Sequence, residues 1–246
     1  MMDFSIQYFD SLDSTNQEAL RQAKKGAKEG LTIVANSQTH GKGRLGRAWQ
    51  TVPDALALSM VLRPDIDAMD APQFSLLAAV ATHQALALFT PKVGIKWPND
   101  LLIEGKKVCG ILTEMQSSAH GIAVILGIGI NIHTPQVGWE GDMRTPPASL
   151  NDYCSPPVHR DDVLHALLES IHEYYTLWQT QGFSPICQAW EKAHVANQKE
   201  VSVFDGKAYI QGLALGLADD GSLRLLVNGK EERIIAGDVS LMESGT

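Results

Sequence analysis

The chain has 246 residues, 44% of them hydrophobic, and a formal net charge of −8. That length accommodates one large domain, or a large domain with a small companion, around a sizeable core. The acidic balance excludes broad electrostatic capture of nucleic acid or of an anionic membrane, since both need a basic footprint.

Met1 to Asp13 lacks the basic stretch and long apolar core of a secretion signal. Phe4 to Phe9 reads as a short strand. A helix follows over Thr15 to Lys25, ended by Gly26 or Gly30. Leu31 to Ala35 is a strand, and a glycine-rich basic stretch runs from Gly41 to Arg47. Ala55 to Leu62 is apolar enough for a buried strand. Ala71 to Phe89 has helical spacing, with Phe74, Leu77, Ala78, Ala81, Ala85 and Leu88 on one face. His83 and Gln84 interrupt it, so it does not read as membrane-spanning.

The middle of the chain is strand-rich: Val93 to Trp97, Leu101 to Ile103, Val108 to Met115 and Ile122 to Ile130, separated by Asn-Asp, Glu-Gly and His-Gly turns. A proline-bearing loop covers Thr134 to Pro157. An amphipathic helix is expected over Asp161 to Gln181, with Asp161 and Asp162 where a helix N-terminus favours negative charge, and a second over Pro185 to Ala196. From Lys199 onward brief strands alternate with tight turns, the pattern of a small SH3-type barrel. The three cysteines, Cys109, Cys154 and Cys187, are widely spread and form neither a disulfide framework nor a metal-ligand pattern. A soluble, cytoplasmic α+β protein with an appended barrel is expected: residues 1–197 as the main domain and 198–246 as the barrel.

Four stretches carry chemistry. His40-Gly41-Lys42-Gly43-Arg44-Leu45-Gly46-Arg47 satisfies G-x-G-x-x-G, but no helix follows it and Pro53 closes the stretch. It is therefore neither a dinucleotide fingerprint nor a phosphate loop of the Gly-Lys-Ser/Thr type. What remains is a flexible loop whose glycines let backbone approach a ligand and whose cations can wrap an anion; a mobile surface hairpin with solvated charges is the plainer alternative. Lys96-Trp97-Pro98-Asn99-Asp100, followed by Lys106-Lys107-Val108-Cys109-Gly110-Ile111-Leu112, places polar groups at strand ends around a turn, either as reactive side chains or as an ordinary hairpin. Gly127-Ile128-Gly129-Ile130-Asn131 interrupts a strand with glycine, which suits a bulge, a ligand against the backbone or a tightly packed neighbouring helix. Asp13-Ser14-Thr15-Asn16-Gln17-Glu18 fits a capping box, although a hydroxyl there can also meet a ligand.

Taken in order, Ser-Thr-Asn, a glutamine before a Gly-x-Gly-Arg loop, Lys-Trp-Pro-Asn-Asp, Lys-x-x-Gly-Ile-Leu and Gly-x-Gly-Ile-Asn closely resemble the biotin protein ligase family, over essentially the whole chain. The resemblance implies a class II synthetase-like mixed β-sheet with helices, followed by a C-terminal SH3-like β-barrel. Only thirteen residues precede Ser14, too few for a winged helix, so the monofunctional type without a DNA-binding domain is expected. Lys42 stands where the family's loop usually has its first arginine. It keeps the charge and loses the planar fork.

The implied chemistry has two steps: biotin and ATP form biotinyl-5'-AMP and pyrophosphate, and a carrier lysine then takes the biotinyl group, releasing AMP. By the resemblance, Lys107 bridges the biotin carboxylate and the phosphate. Lys42 and Arg44 close over the adenylate, with Gly41 and Gly43 permitting that path. Ser14, Thr15, Asn16 and Gln38 meet biotin, whose bicyclic ring lies on Gly127 and Gly129. Trp49, Asn99 and Asn131 belong to the nucleotide side, and Asp100 organises the ATP or the incoming amine. Magnesium is expected with ATP, no resident metal site is, and the partner is the biotin carboxyl carrier protein of acetyl-CoA carboxylase. A monomer or a homodimer is compatible with the sequence. Two rivals stay open: a lipoate-type ligase with the same architecture, and a non-catalytic biotin- or nucleotide-binding module.

Overall fold

The computed structural model describes residues 2–50, 52, 54–136, 138–139 and 145–241. Positions 51 and 53 after the basic stretch, part of the expected 134–157 loop, and 242–246 of the expected barrel lie outside the described residues.

Seven strands build the larger sheet: β1 (Ser5–Leu12), β2 (Leu31–Gln38), β3 (Leu56–Leu62), β4 (Val93–Lys96), β5 (Asp100–Ile103), β6 (Lys106–Ser118) and β7 (Gly121–Ile130). Their order is β1-β2-β3-β7-β6-β5-β4. Only β1 and β2 run parallel; the other neighbours are antiparallel. Between and after them come α1 (Thr15–Lys24), α2 (Ala71–Ala87), α3 (Arg160–Gln181) and α4 (Ser184–Ala193). A second, five-stranded antiparallel sheet follows, from β8 (Glu200–Phe204), β9 (Tyr209–Leu217), β10 (Leu223–Val227), β11 (Lys230–Ile234) and β12 (Asp238–Leu241). Its order, β11-β10-β9-β8-β12, is that of an SH3-type barrel, in which the last strand returns to the first.

Alternation of side chains gives the large sheet two different faces. On one, Leu58, Met60, Leu126 and Ile128 pack with Phe74 and Leu77 of α2 and Leu164 and Leu167 of α3. On the other, Ile33, Val61, Ala123 and Ile125 pack against Ala19 and Ala23 of α1. α1 is short because Gly26 takes φ +86 behind it. The amides of Gly26 and Ala27 then return to the carbonyls of Ala23 and Gln22, closing the helix in a Schellman arrangement. Further along, the face that α1 covers carries small residues on its central strands. One cross-strand row reads Ala35, Ala57, Gly129, Gly110, Asp100, Lys96. The absence of bulk at the first four of these positions opens a cleft above the sheet.

Two expectations need correction. α2 is buried nearly all round, with Leu76, Ala79, Val80 and Leu86 inside as well as the expected stripe, because it lies between the sheet and α3 and α4. Leu88, expected on the buried face, falls beyond the helix end and is 70% exposed. The last helix stops at Ala193 rather than Ala196. The chain leaves it to run beside β4, where Val195 N–H donates to Ile95 O at 2.9 Å and His194 bridges Ile95.

His194 is buried there, stacked on Trp190 at a centroid distance of 4.1 Å, and neither ring nitrogen has a hydrogen-bond partner among the described residues. Burial, aided by Lys199, pushes its pKa down to about 4. The folded protein therefore holds a neutral imidazole while the unfolded chain takes up a proton below about pH 6.5. Stability contributed at neutral pH is lost as pH falls from that value towards 4. His194→Phe keeps the ring stack and removes the titration. Urea unfolding of this variant at pH 7 and pH 5 is expected to show a loss smaller than that of the parent by on the order of 1–2 kcal/mol. Equal losses in both proteins would remove His194 as a source of acid sensitivity.

Candidate active site

The small-residue floor explains why two side chains can lie flat upon it. A Cβ at Gly129 would meet Trp49 Cε2 at 2.5 Å, and one at Gly110 would meet Trp49 Cζ3 at 2.9 Å. A Cβ at Gly127 would stand 2.0 Å from Asn16 Oδ1. The glycines of the Gly-x-Gly-Ile-Asn stretch thus admit against the strand Asn16, from the packed helix that the sequence reading allows, and Trp49, from the basic hairpin. Asn16 is fixed from several sides. Its amide donates to Leu112 O at 3.2 Å and Glu114 Oε2 at 2.8 Å, and it accepts from the Ser59 hydroxyl. Thr15 donates from its backbone N–H to Gln38 Oε1 at 2.8 Å.

Ser14 occupies the N-cap position of α1 in extended conformation, yet its side chain makes no cap hydrogen bond. The capping-box reading is therefore not realised. Ser14, Thr15 and Asn16 are instead buried at the cleft wall.

The basic stretch folds as a short hairpin above the floor. Trp49 N–H donates to Gly41 O at 2.9 Å, Gly43 N–H donates to Arg47 O at 2.8 Å, and Lys42 bridges Ala48. A 3-10 turn over Arg44–Gly46 caps it, with Leu45 at φ 56 and Gly46 at φ 73. Gly41 is required by close approach, since a Cβ would lie 2.4 Å from Trp49 O, whereas nothing crowds Gly43 inside 3.4 Å. Arg44 Nη1 donates to Asn99 Oδ1 at 3.0 Å and to Gly237 O at 3.4 Å. Burial draws the Arg44 guanidinium below its ordinary value, opposed by the nearby carboxylates of Asp238 and Asp100; it stays charged, because arginine starts far above neutrality.

Lys107 reaches the cleft through an irregularity in β6. Leu101 pairs with Cys109 but Leu102 pairs with Lys107, so Val108 is an extra residue. Strict alternation from Gly110 would turn Lys107 into the core. The bulge turns Val108 and Cys109 inward together and re-aims the lysine, a recognised use of bulges. Beyond the last β6–β7 pair, Lys107 N–H donates to Pro146 O at 2.7 Å and its carbonyl accepts from Ala148 N–H at 2.8 Å, which fixes the backbone. Its Nζ lies 2.6 Å from Asp100 Oδ1 and 5.6 Å from the centroid of the Trp49 ring. Lys96, from the same motif as Asp100, donates to Thr145 Oγ1 at 3.2 Å outside the cleft lining, and burial pulls its ammonium below the ordinary value.

One cleft of about 120 Å³ is lined by Ser14, Thr15, Asn16, Gln38, Lys42, Gly43, Arg44, Trp49, Asn99, Asp100, Lys107, Gly127 and Gly129. Of the residues singled out in the sequence, Gly41 and Asn131 are not in that lining. Gly41 supports the hairpin from below. Asn131 lies at the end of β7, where its amide donates to Ala148 O at 3.1 Å and its Oδ1 has no partner among the described residues. Arg47, a cation of the anion-wrapping loop without a role of its own in the sequence reading, also lines the cleft, as do Gly110, Ala57 and Asp238, which that reading does not single out. Gly110 sat within a quoted motif; Asp238 had no local signal, because it arrives from β12.

The geometry is that of a cationic pocket over a flat, small-residue floor, suited to a planar ligand joined to an anionic group. Residues 8–131 match the Biotin/lipoate A/B protein ligase family and residues 199–242 the Biotin protein ligase C terminal domain. The chain is 36% identical over 239 residues to the Bifunctional ligase/repressor BirA of Bacillus subtilis, covering 95% of this chain and 73% of that one. It is 35% identical over 232 residues to the Biotin--[acetyl-CoA-carboxylase] ligase of Paracoccus denitrificans, covering 92% and 96%. Among solved structures, a Biotin protein ligase from Aquifex aeolicus in complex with biotin and ATP superposes with a TM-score of 0.83 at 27% identity, over 98% of this chain and 99% of that one. The chain belongs to the biotin protein ligase family.

Proposed function

We propose that this chain activates biotin with ATP as biotinyl-5'-AMP and transfers it to one lysine of the biotin carboxyl carrier protein of acetyl-CoA carboxylase. The observation that carries the reading is the convergence of Lys107 and Arg44 on one cleft whose floor is glycine and alanine. The first step brings a carboxylate to a phosphate, and the barrier lies largely in joining two anions; preorganised positive charge lowers it. Lys107, held by Asp100, neutralises both reactants at the point of attack. Arg44, held by Asn99, and Lys42 lie over the product anhydride and exclude water from it.

The same reading assigns the remaining lining. Ser14, Thr15, Asn16 and Gln38 offer donors and acceptors to the ureido ring, and Gly127 and Gly129 seat Asn16 and Trp49, which border that ring in place of the bare strand. Trp49 and Asn99 serve the nucleotide, with Gly41 and Gly43 shaping the hairpin that carries Lys42 and Arg44. Asn131, outside the cleft lining, has a buried side-chain Oδ1 without a partner among the described residues and keeps that acceptor for the adenosine end. Among the described residues no group of three or more His, Cys, Asp or Glu side chains is placed to hold a metal, and Asp100 and Asp238 are each paired with a cation. Magnesium therefore fits as an ion carried mainly by the phosphates of ATP. The division at 197/198 belongs to this proposal and is supported by the C-terminal match beginning at residue 199. A cytoplasmic setting is supported by three cysteines that form no disulfide and by the lack, among the described residues, of any helix long and apolar enough to cross a membrane.

The direct test mixes the protein with ATP, magnesium, biotin and an apo carrier domain and detects bound biotin with streptavidin. Labelling that depends on ATP is expected, with lipoate a poor competitor; lipoate competing as well as biotin would transfer the reading to the lipoate side of the family.

Lys107→Ala is expected to slow biotin-dependent pyrophosphate exchange by about 10²–10³-fold, the usual cost of removing one charge-stabilising group, while circular dichroism stays unchanged. Normal exchange in that variant would take Lys107 out of the first step. Arg44→Gly removes the bonds to Asn99 and Gly237, so the activated intermediate is expected to escape and label exposed lysines of bystander proteins. Undiminished retention, measured as the half-life of the enzyme-bound adenylate, would contradict the covering role of Arg44.

A further inference from the structure

The basic hairpin does not stand alone over the cleft. Asp238, the first residue of β12, comes from the second sheet to face it. The Asp238 carboxylate pairs closely with the Arg47 guanidinium and lies 3.9 Å from Arg44 Nη1. The preceding carbonyl, Gly237 O, accepts from both Nη1 and Nη2 of Arg44 at 3.4 Å. Asp238 holds its position through register: it pairs with Phe204 of β8. A side chain at Gly237 would stand 2.8 Å from Phe204 O and 2.9 Å from Val203 Cγ1, so only glycine brings the turn this close.

We propose that Asp238 is a positioning residue that parks Arg47 and Arg44 above the cleft until the phosphates of the nucleotide take them over. This rests on the reading of the cleft as a nucleotide site. A carboxylate and a phosphate offer guanidinium groups the same kind of charge-assisted, paired acceptors. Asp238 therefore stands in for the ligand's charge. Without it, Arg44, Arg47 and Lys107 would face one another across a narrow cleft with Asp100 as the remaining lining carboxylate, and repulsion would lift the hairpin from the floor. With it, the hairpin waits in place, and a binding phosphate must displace one acceptor by another. Displacement has a definite signature. Removing the carboxylate loosens the ligand-free hairpin and at the same time frees arginine charge for phosphate. A residue that merely held the fold together would weaken both.

The test compares the full chain with its Asp238→Asn and Asp238→Glu variants. In limited trypsin digestion without ligand, cleavage after Lys42, Arg44 and Arg47 is expected to accelerate several-fold in D238N and to stay near the parent rate in D238E. In equilibrium binding of ATP with biotin present, D238N is expected to bind roughly three- to fivefold more tightly, the gain set by loss of a half-exposed ion pair. That gain should shrink at high salt as screening weakens the parent's pair. Unchanged digestion without ligand overturns the hold of Asp238 on the hairpin, whatever the ligand is. Parent binding of ATP with equal or weaker binding by D238N overturns displacement and leaves the nucleotide reading intact. Failure of the parent itself to bind ATP overturns both.

Discussion

Lys107 faces the cleft because β6 carries one residue too many. A regular strand from Gly110 back to Lys107 would bury the ammonium in an apolar core, where an unpaired charge is very costly. The extra residue, Val108, turns inward beside Cys109, and the lysine emerges over Gly110 with Asp100 at 2.6 Å. The segment 146–148 then binds both the N–H and the carbonyl of Lys107. Charge placement, floor shape and the fit of Trp49 all follow from that local break in register. The chain as a whole is acidic, so positive potential at this point is a local construction rather than a property of the surface.

The floor and the lid are complementary solutions to one packing problem. Helix α1 covers the sheet face only as far as Ala19 and Ala23 reach. Past that point the sheet would expose apolar area, and the chain instead places alanine and glycine there and folds a hairpin back over them. The indole of Trp49 supplies the apolar cover and the arginines supply the charge. Ligand chemistry therefore needs no deep cavity within the core; it uses a surface left thin by small residues.

Much of this was legible in the sequence. Strand and helix positions follow from periodicity and turn residues, and the motifs contain most of the cleft lining. The failures have specific physical causes. α4 ended early because the edge of β4 offered hydrogen bonds that competed with another helical turn, as Val195 shows. α2 was buried on more sides than its stripe suggested because two helices cover it. Ser14 to Glu18 satisfied a capping pattern, yet Ser14 makes no such bond, since its neighbours Thr15 and Asn16 are engaged across the sheet. Asp238 was invisible because its partner in space lies almost two hundred positions earlier. Gly110, by contrast, lies inside a motif, yet a glycine's reason for being small is visible only with Trp49 lying on it.

The stitching of Val195 to β4 has a bearing on how the cleft is completed. The glycine seat, the ammonium and the arginine hairpin all belong to the chain before residue 132, whereas the facing carboxylate belongs to β12 of the second sheet. The chain passes from one sheet to the other beside β4, where Val195 N–H donates to Ile95 O. The strand that runs on towards Asp100 therefore also anchors the segment that leads to the counter-charge, and the two sheets share one mechanical reference at the edge of the cleft.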